Sequence, residues 1–186
     1  MFSTISKSIA TIAVAIGALL QTNLSPVFNE VQIDYTYDKL ICSAKLKECF
    51  NSDLDKILIS GEKIRIVYLI QILDKEKEVV AEKKFFHEMS YDLIDKKFVL
   101  FLSEKEKYEI FLQLEEVKNR FTTLQSIIIS KDLQDIESDN FFVILIAKLT
   151  PIYMDSLGKE FDLLKYWNNK PAKFFSNRLE LKEITR

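Results

Sequence analysis

The sequence is poor in the residues that build several common functional sites. Its 186 residues include only 3 glycines, 3 prolines, 2 cysteines and 1 histidine. So few glycines and prolines leave no room for a phosphate-binding glycine-rich loop, a collagen repeat or a flexible linker. One histidine and two cysteines exclude a multi-histidine zinc centre, a zinc ribbon and a dense disulfide scaffold. The function therefore has to rest on other chemistry.

A strong net charge is also lacking. Lys and Arg number 26 against 28 Asp and Glu, which gives a net charge of -2. The sequence lacks the excess of basic residues that is typical of nucleic-acid-binding proteins, so we expect no nucleic-acid partner. Hydrophobic residues make up 48% of the chain, enough for the core of one domain of this length. Without repeats or linkers, the sequence predicts a single domain over residues 25–186, preceded by a separate segment, residues 1–24.

That N-terminal segment has the layout of a secretory signal. Residues 1–7 carry one positive charge and no acid, residues 9–20 form twelve uncharged residues, and a polar stretch follows. The apolar run is shorter than the roughly 20 residues that span a bilayer. Its end, Ala18-Leu19-Leu20, is a poor cleavage motif. We favour a cleaved signal peptide over an uncleaved membrane anchor, and both over a buried cytosolic helix. The expected location is the periplasm or cell envelope, with inner-membrane anchoring if the segment is retained.

The rest of the chain alternates between strand and helix periodicities. Lys63–Leu73 is apolar on both faces, which is typical of a strand in the middle of a sheet. Ser103-Glu-Lys-Glu106 matches a capping box, which predicts a helix to about residue 121. The predicted strands are 31–37, 40–46, 63–73, 79–91, 98–102, 124–129, 141–149 and 174–181, and the predicted helices are 53–60, 103–121 and 160–167. The pattern predicts an α+β fold: a mostly antiparallel β-sheet or sandwich with two or three packed helices, preceded by an N-terminal hydrophobic signal or anchor helix.

Several segments occur in an order that is found in a known family. Ser60-Gly61 precedes an alternating strand, a long return strand and the strand 141–149 follow, and Trp167 and Pro171 come late. In this order the sequence resembles the bacterial secreted family catalogued as domain of unknown function 4390, over roughly residues 30–175. It departs from that family in lacking an arginine-rich return strand and in having Asn168-Asn169. The resemblance implies a signal-bearing envelope domain and supplies no site residues, because the family has no established activity.

The titratable residues form no recognisable catalytic or metal-binding pattern in the sequence. His87 falls on the apolar face of a predicted strand, and a lone histidine is more often structural than a catalytic base, which needs a nucleophile or an orienting group nearby. An acidic stretch offers oxygen ligands for Ca²⁺ but lacks the glycine and terminal glutamate of an EF-hand, so we interpret it as a solvated turn. Its residues are Asp132, Asp135, Glu137 and Asp139. We therefore expect no catalytic residue, no metal and no cofactor.

Two further groups of residues allow alternative interpretations. Cys42 and Cys49 are candidates for a disulfide in an oxidising compartment, or they are two buried thiols. Tyr166, Trp167 and Pro171 form either an exposed recognition edge or a plug that seals one end of the core. We favour the plug, since one large ring buries so much apolar area.

These observations favour a protein without enzymatic activity. The leading hypothesis is an exported or membrane-anchored envelope protein that acts by protein–protein interaction with an envelope partner, through an exposed sheet edge. The alternative is a binding module for a lipid or other apolar ligand between the sheet and the helices. An enzyme ranks third, because no polar constellation converges.

Overall fold

The computed structural model describes residues 24–36, 39–130, 140–154 and 158–180. The apolar run 9–20 and the acidic stretch 132–139 lie outside the described residues, and so does nearly all of the predicted signal or anchor segment. None of the described helices is long and apolar enough to cross a membrane.

The described chain is mostly strand. Its elements are β1 (Val27–Thr36), β2 (Lys39–Lys47), α1 (Ser52–Ile59), β3 (Ile64–Leu73), β4 (Val79–Asp92), β5 (Lys97–Leu102), β6 (Lys107–Phe111), α2 (Leu114–Phe121), β7 (Thr123–Ser130), β8 (Asn140–Leu149), β9 (Ile152–Met154), β10 (Lys159–Phe161), a 3-10 helix (Leu163–Trp167), β11 (Ala172–Phe175) and β12 (Leu179–Glu180). The fold is thus α+β and rich in β-structure, with two α-helices among the described residues.

The strands form antiparallel sheets. The largest has seven strands: six follow the order β11-β8-β3-β4-β5-β6, and the seventh, β12, also pairs with β8. A three-stranded sheet has the order β1-β2-β7, and β9 pairs with β10. The predicted central strand is confirmed, because β3 lies between β4 and β8: Ile66 faces His87 on one side and Leu149 on the other.

One hydrophobic core joins the inner faces of the two larger sheets. Alternate residues of β3 are fully buried, namely Ile64, Ile66, Tyr68, Ile70 and Ile72. They belong to the same core as the buried side chains of β2, β7 and β8. Since successive side chains of a strand point to opposite faces, the alternation in the sequence fixes which face of each strand enters this core.

The two α-helices lie against this core and are tied to each other. Asn51 caps α1, because its side-chain oxygen accepts hydrogen bonds from the backbone N–H groups of Asp53 and Leu54. The helix ends before Gly61, which has φ +94°, a left-handed conformation that glycine commonly adopts just beyond the end of a helix. Lys118 of α2 lies 3.0 Å from Asp55 of α1, so one ion pair joins the two helices.

The prediction of one helix over residues 103–121 is wrong. Residues 103–106 form a turn, β6 follows, and only α2 is helical. The hydroxyl of Ser103 accepts a hydrogen bond from the backbone N–H of Phe86, 2.7 Å away, instead of capping a helix. Tyr108 lies opposite Phe101 of β5, with ring centroids 4.7 Å apart, so cross-strand packing overrides the helical pattern.

The C-terminal predictions are correct in part. Residues 160–167 are not one helix, because β10 takes up the beginning and the 3-10 helix the rest. The predicted strand 174–181 is interrupted: β11 and β12 both pair with β8, and residue 181 lies outside the described residues. Residues 176–178 separate the two strands, and the hydroxyl of Ser176 accepts a hydrogen bond from Val143 N–H at 2.9 Å, so the chain stays attached to β8 through the gap.

Candidate functional site

The inner face of β4 carries His87, which is fully buried. Its Nδ1 lies 2.7 Å from the carbonyl oxygen of Phe121, and its Nε2 lies 3.3 Å from Oε1 of Glu104. A carbonyl oxygen only accepts, so Nδ1 carries a proton and donates it to Phe121. Because Nε2 then faces a carboxyl group, the pair shares a further proton, held either by the imidazole or by Glu104.

Glu104 belongs to the turn between β5 and β6, and its side chain is 6% exposed. Burial raises the pKa of this carboxyl. The hydrogen bond and charge of His87, a backbone hydrogen bond of Glu104 and the charge of Lys105 together outweigh burial and hold the pKa below its ordinary value. The ionised carboxylate is thus favoured, and its Oε1 faces Nε2 of His87. The second oxygen, Oε2, is buried without a hydrogen-bond partner.

Aromatic rings surround His87 inside the core. The ring centroids of Tyr68, Phe85 and Phe121 lie 5.0, 5.8 and 6.3 Å from its own. Burial raises the pKa of Tyr68 well above its ordinary value, so its hydroxyl remains neutral and donates to Phe121 O at 3.3 Å. His87 therefore packs among aromatic side chains in the core, as expected for a histidine with a structural role. It contacts Glu104 rather than a nucleophile.

A cleft of about 410 Å³ opens where the β5–β6 turn faces β7. Its lining residues are Lys83, Glu104, Lys105, Ser126, Ile127, Ile128 and Ile129. The pairing of β2 with β7 shifts register between Cys42 and Ala44, and Ser126 at this irregularity has φ +53°. Such bulges re-aim side chains and often lie beside functional sites. We call this space, with its seven lining residues, the Glu104 cleft.

The chemistry available in the Glu104 cleft is that of recognition. Its lining includes one carboxyl side chain, two lysines and three isoleucines. The part of the chain that the structure describes contains no group of three or more His, Cys, Asp or Glu residues arranged to hold a metal ion. The cleft can therefore hold a ligand by charge and hydrogen bonds.

The two cysteines are both free thiols in the structure, and both are buried. Cys42 lies within β2, and this strand carries the chain about 16 Å from Cys42 to Lys47. Only two residues then lead to Cys49, whose thiol lies 3.7 Å from Leu46 O. A disulfide needs Cα atoms within about 7 Å, so the candidate pairing would require β2 to be rebuilt. Burial raises the pKa of each thiol to about 12.

The residues considered for a recognition edge lie at the end of the core. Trp167 is 1% exposed, and its indole Nε1–H donates to the carbonyl of Cys49 at 3.0 Å. Tyr166 is half-buried, and burial, with a smaller effect from Asp53, raises its pKa. Pro171 is also half-buried and directly precedes β11. The structure thus brings Trp167 to Cys49, two candidates that are far apart in the sequence.

The outer face of the large sheet carries a row of aromatic side chains that leads to its edge. Phe86, Phe101 and Tyr108, here called the outer aromatic row, lie on β4, β5 and β6. Neighbouring ring centroids are 5.7 and 4.7 Å apart. Arg65 lies over the ring of Phe86 at 4.4 Å, which covers the inner end of the row.

The edge strand β6 is the exposed end of this row. Among the described strands it pairs with β5 alone. Tyr108 and Ile110 share its outer face and are 68% and 62% exposed, and Leu112, just beyond the strand, is 78% exposed. On the other face, Glu109 accepts a hydrogen bond from Arg120 of α2 at 3.0 Å, which fixes the strand to the domain.

Sequence reasoning missed both features. The capping-box pattern places Glu104 at the start of a helix, and the helix predicted to about residue 121 includes Tyr108. The available signal is the alternation of charged and apolar residues in Lys107-Tyr108-Glu109-Ile110, which has the period of a strand. It is short and is surrounded by charged residues that favour helix equally well.

The comparisons with known proteins give a family and no activity. A family model described as "Domain of unknown function (DUF4390)" matches residues 25–150. No curated protein and no solved structure matches the chain significantly.

Proposed function

Because the chain belongs to the DUF4390 family, whose members share an uncharacterised domain, we propose that it acts by binding a partner protein through the edge strand β6, without catalysing a reaction. The observation that carries this proposal is the exposure of Tyr108 and Ile110 on a strand with one described neighbour. An open edge of this kind exposes backbone hydrogen-bonding groups as well as apolar side chains, and it is the usual template for adding a strand.

The occupant we propose is an extended segment of another protein with apolar residues at alternate positions. Tyr108 and Ile110 alternate along one face of β6, so a strand added to β6 would place its own alternate residues beside them. Glu109 is neutralised by Arg120 on the opposite face, and Lys107 also lies 3.4 Å from it. The partner therefore needs no compensating charge at that position. Its apolar residues would continue the outer aromatic row.

We further propose that this binding takes place in the cell envelope. The support is the N-terminal pattern of a charged start, an uncharged run and a polar end. The segment would be removed on export or would hold the domain at the inner membrane. The polypeptide purified with Met1 intact from the soluble cytoplasmic fraction of its native cell would contradict this location.

Photo-crosslinking in the native cell tests the partner interaction. A photoreactive amino acid replaces Tyr108, and in a matched variant it replaces Tyr153, which is 60% exposed on β9. We expect one crosslinked protein from position 108 only, attached through an extended segment with alternating apolar residues. Ile110→Lys should abolish this product, since a charge on an edge strand blocks strand addition.

Other results of the crosslinking experiment would change or contradict the proposal. A product made only of two copies of this chain would replace the proposed partner with a homodimer. A chain that forms no position-specific product and stays monomeric would contradict the proposal. The same would hold for a product that Ile110→Lys leaves unchanged.

The alternative of a module for a lipid or other apolar ligand has one observation in its favour, the existence of the Glu104 cleft. Its lining includes Glu104, Lys83 and Lys105, and placing an alkyl chain against these charged groups would cost free energy. We therefore rank it below partner binding.

A further inference from the structure

One end of the large sheet, where the turn joins β4 to β5, carries exposed apolar side chains. Ile94 in this turn is 90% exposed, Leu93 is 60% exposed, and Leu112 is 78% exposed. Leu112 directly follows Phe111, which pairs with Phe98 near the start of β5, so it lies at the level of this turn. Ile94 and Leu112 are the two most exposed large hydrophobic residues of the described chain. We call Leu93, Ile94 and Leu112 the apolar end.

Hydrogen bonds within the turn hold its conformation. The carboxylate of Asp92 accepts from the backbone N–H groups of Ile94 and Asp95, at 2.9 and 3.0 Å. The ammonium group of Lys97 donates to the carboxylate of Asp95. Both acids are therefore engaged inside the turn, while Lys96 beside them is exposed and suits the phosphate of a lipid headgroup. A cluster of exposed apolar side chains on a fixed turn marks a surface that meets a protein or a membrane.

The described chain begins at this same end of the domain. The N–H of Leu24 donates to the carbonyl of Tyr166 at 3.0 Å, and the carbonyl of Leu24 accepts from the side-chain amide of Asn168 at 3.2 Å. Asn168 comes just before β11, whose first residue, Ala172, pairs with Ala147 near the end of β8. The end of β8 lies beside the start of β3, which pairs with the end of β4. Leu24 and the apolar end are therefore on one side of the domain.

The sequence before Leu24 determines what this side meets. Only residues 21–23 separate Leu24 from the uncharged run 9–20. Even a fully extended chain spans at most about 14 Å between residues 20 and 24. In the membrane-anchored form of the protein this run lies in the bilayer, and because it is shorter than a full span, the residues after it stay close to the lipid surface. The side of the domain that contains Leu24 then has to face the lipid.

We propose that the apolar end docks on the bilayer that holds residues 9–20, with Leu93, Ile94 and Leu112 in contact with lipid at the level of the headgroups and first acyl carbons. This inference rests on the envelope location proposed above, in its membrane-anchored form, and is separate from partner binding through β6. The anchor raises the effective concentration of the bilayer at this side, so a small apolar surface suffices. A domain released from the membrane would leave the same side chains in water.

A fluorescent probe in the full-length chain, reconstituted in vesicles of phosphatidylethanolamine and phosphatidylglycerol, tests the proposal. The probe is attached to Ile94→Cys. The matched control is Val79→Cys, because Val79 is 50% exposed at the opposite end of β4. Cys42 and Cys49 are buried, so the new thiol takes the label. We expect lipids with a spin label on the acyl chain to quench the probe at 94 and not at 79, and the emission to shift to shorter wavelength at 94 alone.

A second variant shows whether the apolar side chains make the contact. The probe is moved to Leu112→Cys, and Ile94→Asp is added. The charge should keep this side of the domain out of the lipid, so quenching at 112 should be lost. Val79→Asp, which adds the same charge at the far end of β4, should leave quenching at 112 unchanged. Equal quenching in the two variants would contradict the proposal.

Flotation with the vesicles separates failure of this inference from failure of the location on which it rests. A chain that floats with the vesicles but is quenched no more at 94 than at 79 would overturn docking and leave the anchored location standing. A chain that does not float would contradict the anchored form and docking together. A shift of emission at 94 without quenching by lipid would mean that protein, such as a second copy of the chain, covers the apolar end, and this too would overturn docking. Crosslinking from position 108 tests partner binding independently of all three results.

Discussion

Replacing Trp167 distinguishes a side chain that holds the fold together from one that recognises a partner. The ring is 1% exposed, and its N–H donates to Cys49 O at 3.0 Å. Trp167→Ala should lower the free energy of unfolding by about 3–5 kcal/mol, the usual cost of removing a large buried ring. Trp167→Phe keeps a ring but leaves the Cys49 carbonyl without its donor, which should cost about 1–3 kcal/mol.

Urea denaturation followed by circular dichroism measures both changes. A domain of this size is stable by about 5–15 kcal/mol, so Trp167→Ala should shift the midpoint strongly while the dependence on urea concentration stays constant. Tyr153→Ala is the control: the side chain is 60% exposed, and the midpoint should hardly move. A loss below about 1 kcal/mol for Trp167→Ala would refute the core-plug interpretation. Partner crosslinking from position 108 should survive in Trp167→Phe, because Trp167 lies in the 3-10 helix and Tyr108 in β6.

Three further predictions follow from single residues. The pKa of Glu104 is lowered in the folded protein, so its ionisation stabilises the fold above the unfolded pKa, and this contribution is lost as the pH falls through the lower folded pKa. Urea midpoints measured from about pH 7 to pH 3 should therefore fall more steeply for the native chain than for Glu104→Gln. Parallel curves would contradict this prediction. Cys42 and Cys49 have pKa values of about 12 and are buried, so a thiol reagent at pH 8 should label neither cysteine in the native protein and both in urea. Rapid labelling of the native chain would contradict the burial of the two thiols. Gly61→Ala should destabilise the fold by about 1 kcal/mol or more, because Gly61 has φ +94° and an added Cβ would lie 3.2 Å from a neighbouring side chain. Gly158 also has a positive φ, but a Cβ added there would lie 4.0 Å from its nearest neighbour, so thermal denaturation should show a smaller loss of stability for Gly158→Ala. Equal losses of stability would mean that crowding around residue 61 contributes nothing.

The parts of the fold that local patterns specify could be predicted from the sequence. The alternation through β3 identifies its strand conformation, and apolar residues on both of its faces favour a position between two other strands, which its pairing with β4 and β8 confirms. The helix α1 and the turn at Gly61 were also predictable, since apolar residues at helical spacing and a glycine just beyond a helix are local signals. The capping residue, Asn51, precedes the predicted helix and was not identified. These features depend on neighbours in the sequence or on burial alone.

The candidate site depends on contacts that no local pattern reports. Ser103 and Glu104 look like a helix start, but Ser103 bonds to Phe86 and Glu104 to His87, 17 residues away in both cases. Tyr108 and Phe111 fit a helical stripe as well as a strand, and pairing with β5 decides between the two. Tertiary contacts therefore overrode the local propensity at the residues that form the cleft and the open edge.

The central position of β3 also affects when the domain can fold. Its partner β8 is made much later: Arg65, next to the start of β3, is bonded to Thr150, which lies 85 residues further along the chain. Pairings between such distant segments close large loops and slow folding. During synthesis, at about 5–20 residues per second, β3 would wait several seconds for β8 to emerge. Throughout that interval the nascent chain would lack the pairing of β3 with β8, so the large sheet could not form and the N-terminal part of the chain would remain unfolded.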